Sequence, residues 1–88
     1  MRITGVDTVV VDGGMRNWVL VQVRTDEGVD GLGEATLEGK AETIVAAVGE
    51  LARMIDGQDP GRIQHLWQVM YRHSFWRGGP VLMSAISG

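Results

Sequence analysis

The stretch FWRGGP near the end of the chain has residue types that bind anions, because Trp76 and Arg77 precede two glycines and a proline. Pro80 suits the first position of a helix, so we expect the glycine amides before it to be free at a helix N-terminus. Such amides attract an anion, and the Arg77 guanidinium is able to hold a carboxylate through two hydrogen bonds. Trp76 would supply a flat wall beside it. The alternative is that Trp76 and Phe75 are packing residues and Arg77 bridges to a neighbouring domain.

Two loops, Asp12–Asn17 and Thr36–Lys40, form a second candidate site. If they lie close together, they present a mixture of cations, a carboxylate and an amide, contributed by Arg16, Asn17, Glu38 and Lys40. This mixture suits the recognition of hydroxyl groups, because it contains both hydrogen-bond donors and acceptors. The alternative is that these are solvated loop residues.

Several other chemistries are not supported by the spacing of their residues. His65 and His73 are eight positions apart on one predicted helix, about 12 Å along its axis, which is too far to share a metal ion. The Gly31–Gly33 segment resembles the start of a dinucleotide-binding fingerprint, but it lies in a strand and lacks the third glycine and the βαβ unit. No serine has a base at nucleophile spacing. We therefore predict no catalytic residue and no metal ligand set within this chain.

Composition indicates one small domain of 88 residues, 44% hydrophobic and 22% charged, with a net charge of −3. A net negative charge does not indicate a basic surface that would bind nucleic acid or an anionic membrane. The first residues are neither a signal peptide nor a membrane span. The absence of cysteine fits a reducing compartment, and we expect a cytoplasmic protein.

The first third of the chain predicts a three-stranded antiparallel meander with strands at Ile3–Val11, Trp18–Thr25 and Val29–Thr36. The second strand alternates, so that its three valines share one face. A tight turn before the third strand uses Gly28 at positive φ. Glycines weaken the third strand, and we expect another backbone or a ligand to approach closely at Gly31–Gly33.

The rest of the chain predicts helices, which makes the fold class α+β. The first helix begins at Ala41 and ends before Gly57, with an apolar stripe at helical spacing. The second begins with Asp59 as N-cap and Pro60 at the first helical position. Its expected buried residues are Ile63, Leu66, Trp67, Met70 and Tyr71.

The third predicted helix, from Pro80 onward, is apolar nearly all round, since only Ser84 and Ser87 have polar side chains. A helix of this kind belongs between two layers of protein, and the first eighty residues supply one of them. We therefore expect the chain to be one piece of a larger body, truncated from a longer polypeptide.

The order of these segments is similar to that of a known family. The similarity is carried by TDEGVDGLGEAT at the second hairpin, MIDGQDPGRIQHLWQVMYR at the second helix and FWRGGPVLMSAISG at the end. Together they resemble the N-terminal capping domain of the enolase superfamily, in the mandelate racemase and muconate-lactonising group. Within that group they look like the sugar-acid dehydratases. The pair Glu38-Gly39 and the double glycine favour the galactonate type over the mannonate type.

The resemblance implies a capping domain, Met1–Gly88, over a (β/α) barrel that this chain lacks. In that family the barrel holds Mg²⁺ on three acidic ligands and supplies a lysine or histidine base. The base removes the proton α to a carboxylate, and loss of water then gives a 2-keto-3-deoxy sugar acid. The cap contributes two loops, here Gly13–Asn17 and Thr36–Gly39, which close over the substrate.

On this basis we expect Asn17, Glu38, Trp76 and Arg77 to approach a sugar-acid substrate, and the catalytic and metal-binding groups to lie on the barrel of the same polypeptide. We also expect a homo-oligomer. Two alternatives remain open: the cap of a racemase or cycloisomerase of the same superfamily, and a stand-alone interaction module that assembles through Val81–Ile86.

Overall fold

The structure is a computed structural model that describes residues 1–72 and 76–88. A three-stranded sheet comes first along the chain and three helices follow, which confirms the α+β prediction. The elements are β1 (Ile3–Asp12), β2 (Asn17–Thr25), β3 (Gly31–Glu34), α1 (Ala41–Ile55), α2 (Ile63–Arg72) and α3 (Pro80–Ser87).

The sheet is an antiparallel meander in the order β1-β2-β3, as predicted. Its register aligns Val10 with Val19 and Thr8 with Val21. Val19 and Val21 are buried, so the alternation along β2 does separate a core face from an outer face.

Strand β3 is shorter than the predicted Val29–Thr36, because side chains replace backbone partners at both of its ends. At one end, Asp30 Oδ1 accepts from the Thr25 N–H at 3.4 Å. At the other, Thr36 Oγ1 accepts from the Val19 N–H at 3.0 Å. The ladder is therefore limited to four residues.

Helix α1 packs against the core face of the sheet through the stripe that its sequence predicts. Its buried residues are Ile44, Val48, Leu51 and Ile55. Gly57 follows it at φ 77°, as expected for a helix end. The Gly57 N–H donates to the Ile3 carbonyl at 2.8 Å and the Ile3 N–H donates to the Gln58 carbonyl at 2.9 Å, which ties the end of α1 to the start of β1.

The predicted start of the second helix is wrong, because α2 begins at Ile63 and not at Pro60. Asp59 caps a turn instead: its Oδ1 accepts from the Gly61 N–H at 2.8 Å and its carbonyl from the Arg62 N–H at 3.2 Å. Aspartate side chains bond to the backbone two residues on in this way, and that turn competes with a helix.

The predicted buried stripe of α2 is also partly wrong. Leu66 is buried, but Ile63 is 73% exposed and Trp67 37% exposed. Helix α2 packs onto Ile3 and Ile55 through Leu66, with Met70 alongside. The other apolar side chains of α2 are more exposed than Leu66. The Trp67 and Tyr71 rings stack on each other, with centroids 5.1 Å apart. The continuation of this helix through His73–Phe75 lies outside the described residues.

Helix α3 begins at Pro80, as predicted, after Gly78 and Gly79 at φ 79° and 86°. Ala85 and Ile86 join the core cluster of Val19 and Ile44. The first eighty residues therefore bury the Ala85–Ile86 part of α3, and a second body over the rest of this helix stays a prediction. Val81, Leu82 and Met83 are only half-buried.

Two glycines allow α3 to end directly against the sheet. A side chain at Gly33 would overlap the Gly88 carbonyl, and one at Gly88 would overlap Ala35. The close backbone approach predicted for Gly31–Gly33 is thus confirmed at Gly33, whereas a methyl group at Gly31 would meet open space.

None of the helices in the described ranges is long and apolar enough to cross a membrane.

We predict that Gly33→Ala destabilises the protein by about 2 kcal/mol, because the added methyl group meets backbone atoms that cannot rotate away. Urea unfolding followed by circular dichroism measures the loss. Gly31→Ala, two residues away on the same strand, is the matched control and should change stability by less than about 0.5 kcal/mol. Equal effects of the two substitutions would contradict the packing of Gly88 on Gly33.

The different burial of Leu66 and Ile63 gives a second prediction for the 88-residue protein. Leu66→Ala should lower the free energy of unfolding by about 2–4 kcal/mol, because it removes buried methyl groups. Ile63→Ala should lower it by less than about 1 kcal/mol, because most of that side chain already contacts water. Urea unfolding compares the two variants directly, and a larger loss for Ile63→Ala would contradict the observed burial of Leu66 and exposure of Ile63.

Candidate functional site

The loop between β1 and β2 is a compact turn of four residues. The Gly13 N–H donates to the Arg16 carbonyl at 2.9 Å, and the Gly14 N–H donates to Asp12 Oδ1, also at 2.9 Å. Gly14 has φ 89°, a value that side-chain-bearing residues rarely adopt. At the tip, the Met15 side chain is 99% exposed. The turn therefore holds its shape through local bonds while its side chains remain in solvent.

The second loop connects β3 to α1 and is anchored to β2 where it begins. Ala35 is buried and its N–H donates to the Val19 carbonyl at 2.9 Å, beside the bond from the Val19 N–H to Thr36 Oγ1. A turn follows, in which the Lys40 N–H donates to the Leu37 carbonyl at 3.0 Å. Lys40 precedes α1, so the first turn of this helix lies next to the loop.

The two loops face each other across an open cleft of 610 Å³, which confirms that they lie close together. The hairpin loop supplies one wall, and the second loop with the first turn of α1 supplies the other. The lining residues are Gly14, Met15, Arg16, Asn17, Glu38, Gly39, Lys40, Ala41, Glu42 and Thr43. The structure thus brings together the predicted substrate residues Asn17 and Glu38, with Arg16 and Lys40 beside them.

Charges in the cleft are balanced, because Arg16 and Lys40 accompany Glu38 and Glu42. An amide and a hydroxyl, from Asn17 and Thr43, complete the polar groups. This set contains donors and acceptors for several hydroxyl groups, and no excess of one charge. All of these polar residues are exposed, so their contacts with a ligand would have to displace water.

Sequence reasoning missed two polar residues of the cleft, Glu42 and Thr43. Both lie in the first turn of α1, and the helical pattern assigned them only to the solvent face of that helix. The available signal was their position directly after a candidate loop, since the first turn of a helix is next to the loop that leads into it.

The other two predicted substrate residues, Trp76 and Arg77, do not line this cleft. They lie between α2 and α3, where Trp76 is 80% exposed. Arg77 Nη2 donates to the Arg72 carbonyl at 2.9 Å, so the guanidinium reaches back to the last turn of α2. This contact lies within the domain, and the bridge from Arg77 to a neighbouring domain, which was the alternative, stays a prediction. Phe75, the third member of that alternative, lies outside the described residues.

Residues 1–72 and 76–88 contain no group of three histidine, aspartate or glutamate side chains that could hold a metal ion. His65 is exposed on α2. Its proposed counterpart in the histidine pair, His73, lies outside the described residues. Magnesium therefore does not fit the side chains that the structure describes.

The chain is similar to known proteins over nearly its whole length. Residues 4–88 match the family described as "Mandelate racemase / muconate lactonizing enzyme, N-terminal domain". A D-galactonate dehydratase from Cronobacter sakazakii is 59% identical over 71 residues, which are 81% of this chain and 19% of that protein.

Solved structures show the same fold. An enolase from Pantoea ananatis with bound D-gluconate and Mg superposes with a TM-score of 0.89 at 37% identity, over 96% of this chain and 21% of that one. A member of the enolase superfamily from Salmonella Typhimurium has a TM-score of 0.89 at 31% identity, over 96% of this chain and 23% of that one. The chain thus spans about a fifth of the length of these relatives.

The family match, the sequence identity and the superposition agree with the meander and the three helices. The chain therefore belongs to the mandelate racemase / muconate lactonizing enzyme family of the enolase superfamily, as its N-terminal domain.

Proposed function

We propose that this domain closes the substrate site of a sugar-acid dehydratase of the galactonate type. The reaction removes the proton α to the substrate carboxylate and expels a β-hydroxyl group as water, leaving a 2-keto-3-deoxy acid. The observation that carries the proposal is the cleft in which both predicted loops meet. The 59% identity to a D-galactonate dehydratase supports the choice of substrate class.

In this proposal the cleft residues bind the hydroxyl groups at the distal end of the sugar acid. The Glu38 carboxylate accepts hydrogen bonds from hydroxyl groups, and the Asn17 amide both donates and accepts. Arg16 and Lys40 donate to hydroxyl oxygens from either side. Binding of this kind orients the substrate and displaces water from the far end of the site.

Trp76 and Arg77 form a second, separate part of the proposal. They lie outside the cleft, and we assign them a contact with the substrate from the segment between α2 and α3. The chemical basis for Arg77 is that a guanidinium donates paired hydrogen bonds to a carboxylate, the group that a sugar acid carries.

The catalytic groups and the metal belong to another part of the protein in this proposal. The described side chains offer Mg²⁺ no site, and we therefore place the ion and the base on a barrel domain of the same polypeptide. The relative with bound D-gluconate and Mg supports a metal of this kind. A cytoplasmic location and assembly as a homo-oligomer stay predictions.

The proposal is tested by assaying the full-length protein that carries this domain against a panel of hexonates and pentonates with Mg²⁺. We expect loss of water from D-galactonate or a close epimer, detected as a 2-keto-3-deoxy acid. Racemisation or cycloisomerisation without loss of water would contradict the dehydratase assignment and favour the other activities of the family.

The cleft predicts how two substitutions change the kinetics of that enzyme. Asn17→Ala and Glu38→Ala should each raise KM about tenfold, because each removes a hydrogen bond to a substrate hydroxyl, worth about 1.5 kcal/mol. Steady-state kinetics with the accepted sugar acid measures the change.

Glu50→Ala is the matched control for Glu38→Ala, since Glu50 is an exposed carboxylate on α1 that does not line this cleft. It should leave KM unchanged. If Asn17→Ala and Glu38→Ala leave KM as unchanged as this control does, the cleft does not bind the substrate.

A further inference from the structure

Trp18 contacts the hairpin loop from outside the cleft. It follows Asn17 at the start of β2 and pairs with Val11 across the strands. Its indole lies against Gly13, because a methyl group on Gly13 would come within 2.8 Å of Nε1 and 2.9 Å of Cε2. Trp18 does not line the cleft, although the four residues before it do. The indole thus supports one wall of the cleft without facing its interior.

The hairpin loop between β1 and β2 has two described hydrogen bonds within its turn. Its two hydrogen bonds, from the Gly13 N–H to the Arg16 carbonyl and from the Gly14 N–H to Asp12, are local. They fix the shape of the turn, but neither bond joins it to a residue outside Asp12–Arg16. The Trp18 ring, 46% exposed on the outer face of the sheet, packs on the backbone at the base of the turn and is able to hold the turn against the strands, with few rotatable bonds to order.

We propose that Trp18 is a positioning residue, which holds the Gly13–Arg16 turn so that Arg16 and Asn17 face Glu38 across the cleft. The contact also requires glycine at position 13, since any side chain there would displace the indole. Trp18 acts through the loop and does not touch the ligand. Its effect on substrate binding depends on the proposed function, whereas its effect on the loop does not.

The experiment compares Trp18→Ala, Trp18→Phe and Val9→Ala in the full-length protein. Phenylalanine keeps an aromatic ring over Gly13. Val9 is 54% exposed and pairs with Leu20 on the same two strands, so Val9→Ala controls for lost apolar surface. Hydrogen exchange at the amides of Gly13 and Gly14 reports on the loop, and steady-state kinetics with the accepted sugar acid reports on binding.

Trp18→Ala should raise exchange at both amides about tenfold, because the loop opens more often. It should raise KM about fivefold and change kcat less than about twofold, because a loop residue that aids substrate binding is misplaced. Trp18→Phe and Val9→Ala should stay close to wild type in both measurements. If Trp18→Ala does not fold, Trp18→Leu replaces it with the same expected changes.

Unchanged exchange at Gly13 and Gly14 in Trp18→Ala would overturn the proposal, whatever happens to KM. Equal effects of Trp18→Ala and Val9→Ala would also overturn it, because the loss would then be general. If exchange rises as expected but the wild-type protein acts on no sugar acid, the positioning role stands and the proposed function fails.

Discussion

The contact of α1 with the core face of β2 is the constraint on which the rest of the domain depends. Among residues 1–72 and 76–88, Val19 and Ile44 are the two large side chains with no exposed surface, and they belong to one core cluster. Val19 lies three residues after the hairpin loop ends at Arg16, and Ile44 lies four residues after Lys40. Packing these two residues in one core therefore brings both loops to the same end of the domain, and the cleft results from it.

In this arrangement, the residues that stabilise the core and the polar residues that line the cleft are different residues, although they are close in sequence. The backbone around Val19 bonds to Ala35 and Thr36, which fixes the base of the second loop. The polar residues of the cleft lie on the loops and the first helical turn, where they remain exposed. Loops can vary on such a rigid base without changing the core, which suits the role in substrate binding proposed for this domain. Trp18 lies between Asn17 of the cleft and Val19 of the core, and so it connects the two sets of residues.

Much of the fold could be predicted because its elements have strong local signals. Alternating valines specify the core face of β2, and the stripe of α1 specifies its buried side. The errors fall where local signals compete. Asp59-Pro60 is typical of a helix start, but the aspartate bonds to Gly61 and forms a turn. The apolar spacing of Ile63 and Trp67 predicts burial, but a stripe does not reveal how much of it a neighbouring element will cover.

For the candidate site, the sequence by itself determined which residue types are present on the two loops, including Asn17 and Glu38. It also determined the family, because residues 4–88 carry the pattern of its N-terminal domain. Only the tertiary structure decided that both loops share one cleft, that Glu42 and Thr43 join it, and that Trp76 and Arg77 do not. The physical reason is that residue identity and spacing are local, whereas a cleft depends on how distant segments pack around a common core.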